Sequence, residues 1–215
     1  YLHALLRFNR LLIQRNALLK DSGQGVAQMR EMLDVLNAQM IDSAEYIYAS
    51  RKAFTQAMRE LVEDYYEKIS GARESAALRY ESHLHQRSFE EILKLSIDAD
   101  MRAGHTTRGV HKDDLLWEMN GERLKVFGSQ GQQKSFLIAL KLAQFDFLGK
   151  KCGWQPILLL DDIFDKLDAT RVTQLIELVN THHFGQIFIT DTDAERTANI
   201  LQRINEDSQI IAFDK

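Results

Sequence analysis

The sequence predicts an α/β protein in which a long α-helical arm precedes a mostly parallel sheet with helices. Three observations support this. Apolar residues recur at helical spacing through most of the first 70 positions, and the chain has a single proline, Pro156, so little interrupts long helices. From Gln132 onward, helical and strand-like segments alternate, the pattern of a parallel sheet. Finally, Ile157-Leu158-Leu159-Leu160 runs directly into Asp161-Asp162, and an unbroken apolar run of this kind reads as a strand buried on both faces.

Each element has its own signal. Leu2, Leu5, Leu6, Leu12, Ile13 and Leu19 fall on a helical repeat that should stop at Asp21-Ser22-Gly23-Gln24-Gly25, a cluster of turn formers. A second helical stretch runs from Val26 to Ile69, with a break expected near Ile41-Asp42-Ser43 and an end at Gly71. Such a pair reads as a helical hairpin packed on its own apolar faces. Arg51, Lys52 and Arg59 are the cations that would serve if it were instead a DNA-contacting arm. Ala76–His83 alternates as a strand does. Ser88 and Glu91 stand at the two positions of a capping box, opening a helix to Ala103. Asn120-Gly121 lies between Leu115–Met119 and Arg123–Phe127, a strong hairpin signal. Gln132–Leu148 is apolar nearly all round and predicts a buried helix. A strand at Pro156–Leu160, a helix at Thr170–Asn180, a buried strand at Gln186–Thr190, a helix at Asp193–Asn205 and a last strand at Gln209–Phe213 follow.

Composition narrows the function. The 215 residues are 45% hydrophobic and 27% charged, with 31 acidic against 27 basic side chains and a net charge of −4. That balance argues against a globally basic nucleic-acid binder, though a local basic patch remains compatible with it. The lone Cys152 excludes an internal disulfide framework and fits a reducing, cytoplasmic setting. No apolar run approaches the roughly 20 residues that span a bilayer, so no membrane partner is expected. The chain opens at Tyr1, already within a helical pattern, and is expected to be a piece of a longer protein.

Two acids at the end of an apolar strand are costly unless a cation sits there, and the usual cation is magnesium carrying a nucleotide's phosphates. In that reading Asp161 binds magnesium, directly or through water, and Asp162 orients or deprotonates an attacking water. A second element, Phe127-Gly128-Ser129-Gln130-Gly131-Gln132-Gln133-Lys134, leads small polar residues and two glycines into a helix whose N-terminal N–H groups form an anion site. Ser129 can donate a hydroxyl to a phosphate, and Gly131 permits close backbone approach. Asp168 and Arg171 follow the acid pair, and a second apolar strand ends in Thr190-Asp191-Thr192. The order is that of a signature, a Walker B strand, a D-loop and a switch strand. Weaker candidates read as structural. His111 with Asp113 and Asp114 matches no familiar metal-ligand spacing. His182-His183 reads as a helix end, Trp117 and Trp154 as packing, and Cys152 as inert.

Ser129-Gln130-Gly131-Gln132-Gln133, then Leu158-Leu159-Leu160-Asp161-Asp162, then Leu167-Asp168 with Arg171, resemble the C-terminal two-thirds of the RecF family, bacterial recombination and repair ATPases of the ABC/SMC class. The family's signature carries Gln where most ABC proteins have Gly-Gly, and its Walker B ends in Asp-Asp; both features stand here. Gly109-Val110-His111-Lys112-Asp113-Asp114-Leu115 resembles a family stretch that usually reads Gly-Pro-His-Arg-Asp-Asp-Leu, with Val110 and Lys112 as departures. No G-x-x-x-x-G-K-[ST] phosphate loop occurs in these residues.

The resemblance implies a partial ABC-type ATPase head: 1–103 as helical arm and lobe II, 104–215 as the signature segment and C-terminal half of the head. It implies ATP and magnesium as cofactors and an ATP-dependent homodimer. In that dimer Ser129, Gln130, Gly131 and Gln132 act in trans on a nucleotide bound to the other subunit. Asp161 and Asp162 serve their own subunit's nucleotide, Asp168 and Arg171 of the D-loop region help couple the two sites across the interface, and Thr190 ends the switch strand. It further implies binding to gapped DNA and assistance, with RecO and RecR, in RecA loading during replication, repair and the SOS response. Hydrolysis is expected of the full-length protein, not of these residues alone. Two other readings fit the motifs: another ABC/SMC-type head (SMC-like, or of the overcoming-lysogenization-defect type), or a non-enzymatic helical scaffold with a degenerate ATPase body.

Overall fold

In the computed structural model, residues 1–21, 25–181, 184–204 and 208–212 are described. By compactness the chain divides into two units: Tyr1–Gln56 with Arg79–Leu116, and Ala57–Leu78 with Trp117–Lys215.

In the first unit, α1 (Leu2–Lys20) and the first part of α2 (Val26–Ser70) run as the apolar spacing predicts. The turn-forming cluster at 22–24 lies outside the described residues. The break expected near Ile41-Asp42-Ser43 does not occur. That segment holds no glycine or proline, and Met40, Ala44 and Ile47 are fully buried with Phe8, Phe89, Leu93 and Val110, so packing keeps the helix continuous. Arg51 donates to the Val110 carbonyl (2.6 Å) and to Asp113 (2.9 Å), while Lys52 lies over the Tyr48 ring. α3 (Phe89–Ala103) begins with the predicted capping box, Ser88 and Glu91 each accepting from the other's backbone N–H, and ends at Gly104 in the left-handed region. Gly109 (φ +131°) opens a 3-10 turn at Val110–Lys112; a Cβ there would lie 2.6 Å from the Phe89 ring, so only glycine fits.

One feature of this unit has no local sequence signal. Arg15 and Asp100 are both fully buried and form an ion pair of 2.8 Å. Arg15 also donates to Asn37 (2.8 Å) and Thr106 (2.6 Å), and Asp100 accepts from Ser96 and Thr107.

In the second unit the end of α2, α5 (Gln130–Cys152), α6 (Ala169–Thr181) and α7 (Ala194–Leu201) accompany a two-stranded parallel sheet, β4 (Leu158–Asp161) with β5 (Ile187–Thr190). A separate three-stranded sheet has the order β1 (Ala76–Glu81), β2 (Asp114–Met119), β3 (Glu122–Arg123). The Asn120-Gly121 turn has positive φ at both residues (51° and 83°) and sets the register Met119↔Glu122, as a type I′ hairpin requires. Beyond Arg123 the expected strand is absent. Leu124–Phe127 is a helical turn (α4) that buries Leu124 and leaves Val126 and Phe127 exposed.

Leu158 and Leu160 are buried among Leu142, Phe145, Leu175 and Ile176, so α5 and α6 cover one face of the parallel pair. Ile157, Leu159 and Phe188, pointing the other way, are 59%, 68% and 48% exposed. The expectation of strands buried on both faces is therefore corrected: the pleat alternates, and among the described residues helices pack only on the Leu158–Leu160 side. α5 is likewise not buried all round, with Leu137 exposed. Trp117 packs edge-on against Phe136 (4.5 Å between centroids), but Trp154 is exposed, contrary to its reading as a packing residue. Residues 209–212 form no strand, and Ile210 and Ile211 lie exposed.

Removing one member of the buried pair leaves the other charged and unpaired. Arg15→Met is expected to cost about 3–5 kcal/mol in urea denaturation, and adding Asp100→Leu should recover part of it. A single variant within about 0.5 kcal/mol of the parent would show that the pair does not organise the first unit.

Candidate nucleotide site

The register Asp161↔Thr190 brings the carboxyl ends of β4 and β5 side by side. The Thr190 hydroxyl donates to Asp161 Oδ1, and Asp161 is exposed at the strand tip. The Asp162 N–H donates to the Thr190 carbonyl (3.1 Å) and hydroxyl oxygen (3.2 Å). Asp162 takes a left-handed backbone (φ +48°), and its carbonyl accepts from Lys134 Nζ at 2.6 Å. One residue beyond Thr190, Asp191 receives Arg196 Nε (2.9 Å) and Nη2 (2.5 Å) and the Asp193 N–H (3.0 Å). The Arg196 hydrogen bonds, helped by that N–H, outweigh the effect of burial and hold the Asp191 carboxyl below the usual aspartate range. Asp193 caps α7.

The Ser129 turn is built by a capping box. Ser129 Oγ accepts from the Gln132 N–H (3.2 Å), and Gln132 Oε1 accepts from the Ser129 N–H (2.7 Å). Gln133 Nε2 donates to the Gly128 carbonyl (2.9 Å). Ser129 and Gln130 are exposed, so the positive end of α5 faces solvent. A Cβ on Gly131 would stand 3.0 Å from the Lys166 carbonyl oxygen, so glycine lets this turn approach the loop after β4.

Asp168 and Arg171 have different surroundings. Asp168 is exposed and caps α6, its Oδ1 accepting from the Arg171 N–H (2.8 Å); that bond, against slight burial and with Arg73 and Arg171 nearby, holds its carboxyl below the usual range. Arg171 is 4% exposed. Its Nη1 donates to Ser135 Oγ (2.9 Å), its Nη2 to both oxygens of Glu74 (3.0 Å each), and its Nε lies 3.3 Å from Asp168 Oδ2. Glu74, which the sequence did not single out, also accepts from Gln132 Nε2 (3.0 Å) and the Tyr66 hydroxyl (2.7 Å). Burial disfavours its charge, but the hydrogen bonds from Gln132, Tyr66 and Arg171 prevail and hold its carboxyl below the usual glutamate range. Glu74 and Arg196 carry no motif of their own and only their three-dimensional partners reveal them; Lys134 ends the Phe127–Lys134 element, but its bond to the Asp162 carbonyl was not foreseen.

Of the weaker candidates, His111 and Asp113 make contacts within the fold. His111 Nε2 lies 3.1 Å from the Thr106 carbonyl, and Asp113 accepts from Arg51 and Tyr80. Among the described residues no three His, Cys, Asp or Glu side chains cluster as metal ligands. Cys152 is exposed. His182 and His183 lie outside the described residues.

No family model matches the chain. The DNA replication and repair protein RecF of Flavobacterium johnsoniae is 44% identical over 210 residues, 98% of this chain and 58% of that protein. Its counterpart from Bacteroides fragilis is 45% identical over 214 residues, 100% of this chain and 57% of that protein. The solved structure of the recombination mediator protein RecF with ATP, from the RecFOR pathway, superposes with a TM-score of 0.71 at 24% identity, covering 91% of this chain and 54% of that one. The chain shares the fold of that RecF structure over this extent. Over its whole length the chain belongs to the RecF family, and it spans about 58% of the length of the curated relatives it matches.

The depressed Asp191 carboxyl has a consequence for stability. Its contribution is complete above the ordinary aspartate value and is lost as pH falls through the lower folded value. The difference in unfolding free energy between the parent and Asp191→Asn should therefore shrink on acidification below about pH 4. A difference constant from pH 7 to pH 2.5 would exclude the ion pair as its source.

Proposed function

We propose that this chain carries the signature and Walker B elements of a RecF-type ATPase. In the full-length protein these work in an ATP-dependent homodimer on gapped DNA, with RecO and RecR, to assist RecA loading in the cytoplasm. The observation that carries the reading is the joint placement of Asp161 and Thr190 at adjacent strand tips, with Asp162 held beside them. The family relationship and the ATP-bound structure of a RecF protein support it. Among the described residues no helix is long and apolar enough to cross a membrane.

The donor set fits magnesium with a nucleotide better than a protein-only metal site. Magnesium takes one or two carboxylates and completes its shell with water and phosphate oxygens. Asp161, exposed and oriented by Thr190, would hold it, and bound Mg–ATP supplies the cation and the phosphoryl group. Asp162 positions or deprotonates water. Thr190 orients Asp161. Of Ser129, Gln130, Gly131 and Gln132, the first presents its hydroxyl and the next two their N–H groups to a nucleotide on the second subunit, while Gln132 holds the turn through the capping box; this ties closure to occupancy. Asp168 belongs to the D-loop surface, and Arg171 secures it from beneath. Contacts to DNA are expected to be chiefly to phosphate and so salt-sensitive. With no phosphate loop among its residues, the chain by itself is not expected to hydrolyse ATP.

Two variants of the full-length protein test this. Asp162→Asn should lower turnover by about a hundredfold or more while ATP binding persists; unaltered turnover would remove Asp162 from catalysis. Ser129→Arg should abolish ATP-dependent dimerisation measured by sedimentation, and a dimer that forms as in the parent would refute the trans role.

A further inference from the structure

We propose that Glu74 is a positioning residue for the signature: its carboxylate ties the Ser129–Gln132 turn to the Asp168–Arg171 segment, so that the two meet a second subunit's nucleotide as one preset surface. This rests on the trans-signature reading above and adds a residue outside every recognised motif. Glu74 lies in the short connection between α2 and β1.

The argument begins with the Gln132 amide. One end must accept from the Ser129 N–H and the other must donate to Glu74. An ionised carboxylate can only accept, so it forces the NH2 toward itself and the carbonyl oxygen toward Ser129. Glu74 thereby fixes which way the amide faces, and with it the capping box that holds Ser129. A second path reaches the same turn. Arg171, paired with both Glu74 oxygens, donates to Ser135 Oγ, and Ser135 Oγ donates to the Gly131 carbonyl (2.8 Å). Arg171 Nε faces Asp168 at the start of α6. One carboxylate thus controls the turn from two sides and joins it to the D-loop. The hydrogen bonds that keep Glu74 ionised are the same bonds that do the tying.

The test uses the full-length protein with its phosphate loop, and the variants Glu74→Gln, Gln132→Glu, their double exchange, and Ser129→Arg. Nucleotide affinity of the monomer, ATP-dependent dimerisation by sedimentation, and thermal unfolding are measured for each. Glu74→Gln is expected to weaken the ATP-dependent dimer about tenfold, the scale of one well-placed hydrogen bond, with monomer nucleotide affinity unchanged. Gln132→Glu sets two carboxylates face to face and should be at least as weak. The exchange should recover part of the dimer, because a glutamate at 132 accepts from both the Ser129 N–H and the new amide at 74, while Arg171 keeps only one of its two acceptor oxygens there. A Glu74→Gln protein that dimerises like the parent, or an exchange no better than Gln132→Glu, overturns the proposal. If Glu74→Gln does not fold, the comparison of Gln132→Glu with the exchange decides alone. Loss of the dimer in Ser129→Arg alongside a normal Glu74→Gln removes only the role of Glu74. A normal dimer in Ser129→Arg removes the trans-signature reading itself.

Discussion

The parallel register of β4 and β5 is the constraint on which the site depends. Because Asp161 pairs with Thr190, a threonine hydroxyl is available to the first acid and a threonine carbonyl to the N–H of the second. A slip of one residue would turn Asp161 to the other face and put Ile189 where Thr190 stands. The register is in turn secured by burial on one side only, where Leu158 and Leu160 pack with residues of α5 and α6. Packing on that face is therefore coupled directly to the geometry of the acids at the strand tip.

α5 joins the two halves of the site within the second unit. Its N-terminal turn presents Ser129 and Gln130 to solvent, and its next residues reach back to the loop after β4: Gly131 against the Lys166 carbonyl, Lys134 on the Asp162 carbonyl. Its following turns fill the core with Phe136, Ala139, Leu142 and Phe145. The Ser129 turn and the backbone of Asp162 are thus held to one helix. Under the proposed function, this contact links the Ser129 turn to the acids at the β4 tip.

Local chemistry made part of this legible in the sequence. The Ser88–Glu91 box, the Asn120-Gly121 turn and the Asp161-Asp162 tip are each specified within a few residues, and the structure forms all of them as local elements, whereas the Ser129–Gln132 box, equally local, was not read from the sequence. The misreadings arose where tertiary packing decides. The continuity of α2 through Ser43 depends on Phe8 and Phe89, which are remote in sequence. The exposed side of Leu159 and Phe188 cannot be told from its buried neighbours when every residue in the run is apolar. The bonds of Glu74 to Gln132 and Arg171 span 58 and 97 residues, and such pairs leave no periodic trace.

The loop after β4 shows how the fold sustains an unfavourable backbone. Asp162 and Lys166 both have positive φ, a conformation that costs a non-glycine residue roughly 1–3 kcal/mol. Aspartate tolerates it better than most residues. Here three hydrogen bonds hold Asp162 in place, two through its N–H to Thr190 and one through its carbonyl from Lys134. Relaxing Asp162 to a right-handed backbone would disturb them. Lysine gains no such allowance at 166, and the Lys166 carbonyl lies 3.0 Å from where a Cβ at 131 would stand, so a side chain there would have to push it back. The strained loop and the signature turn are thus fitted to each other, and neither geometry is explained by its own sequence alone.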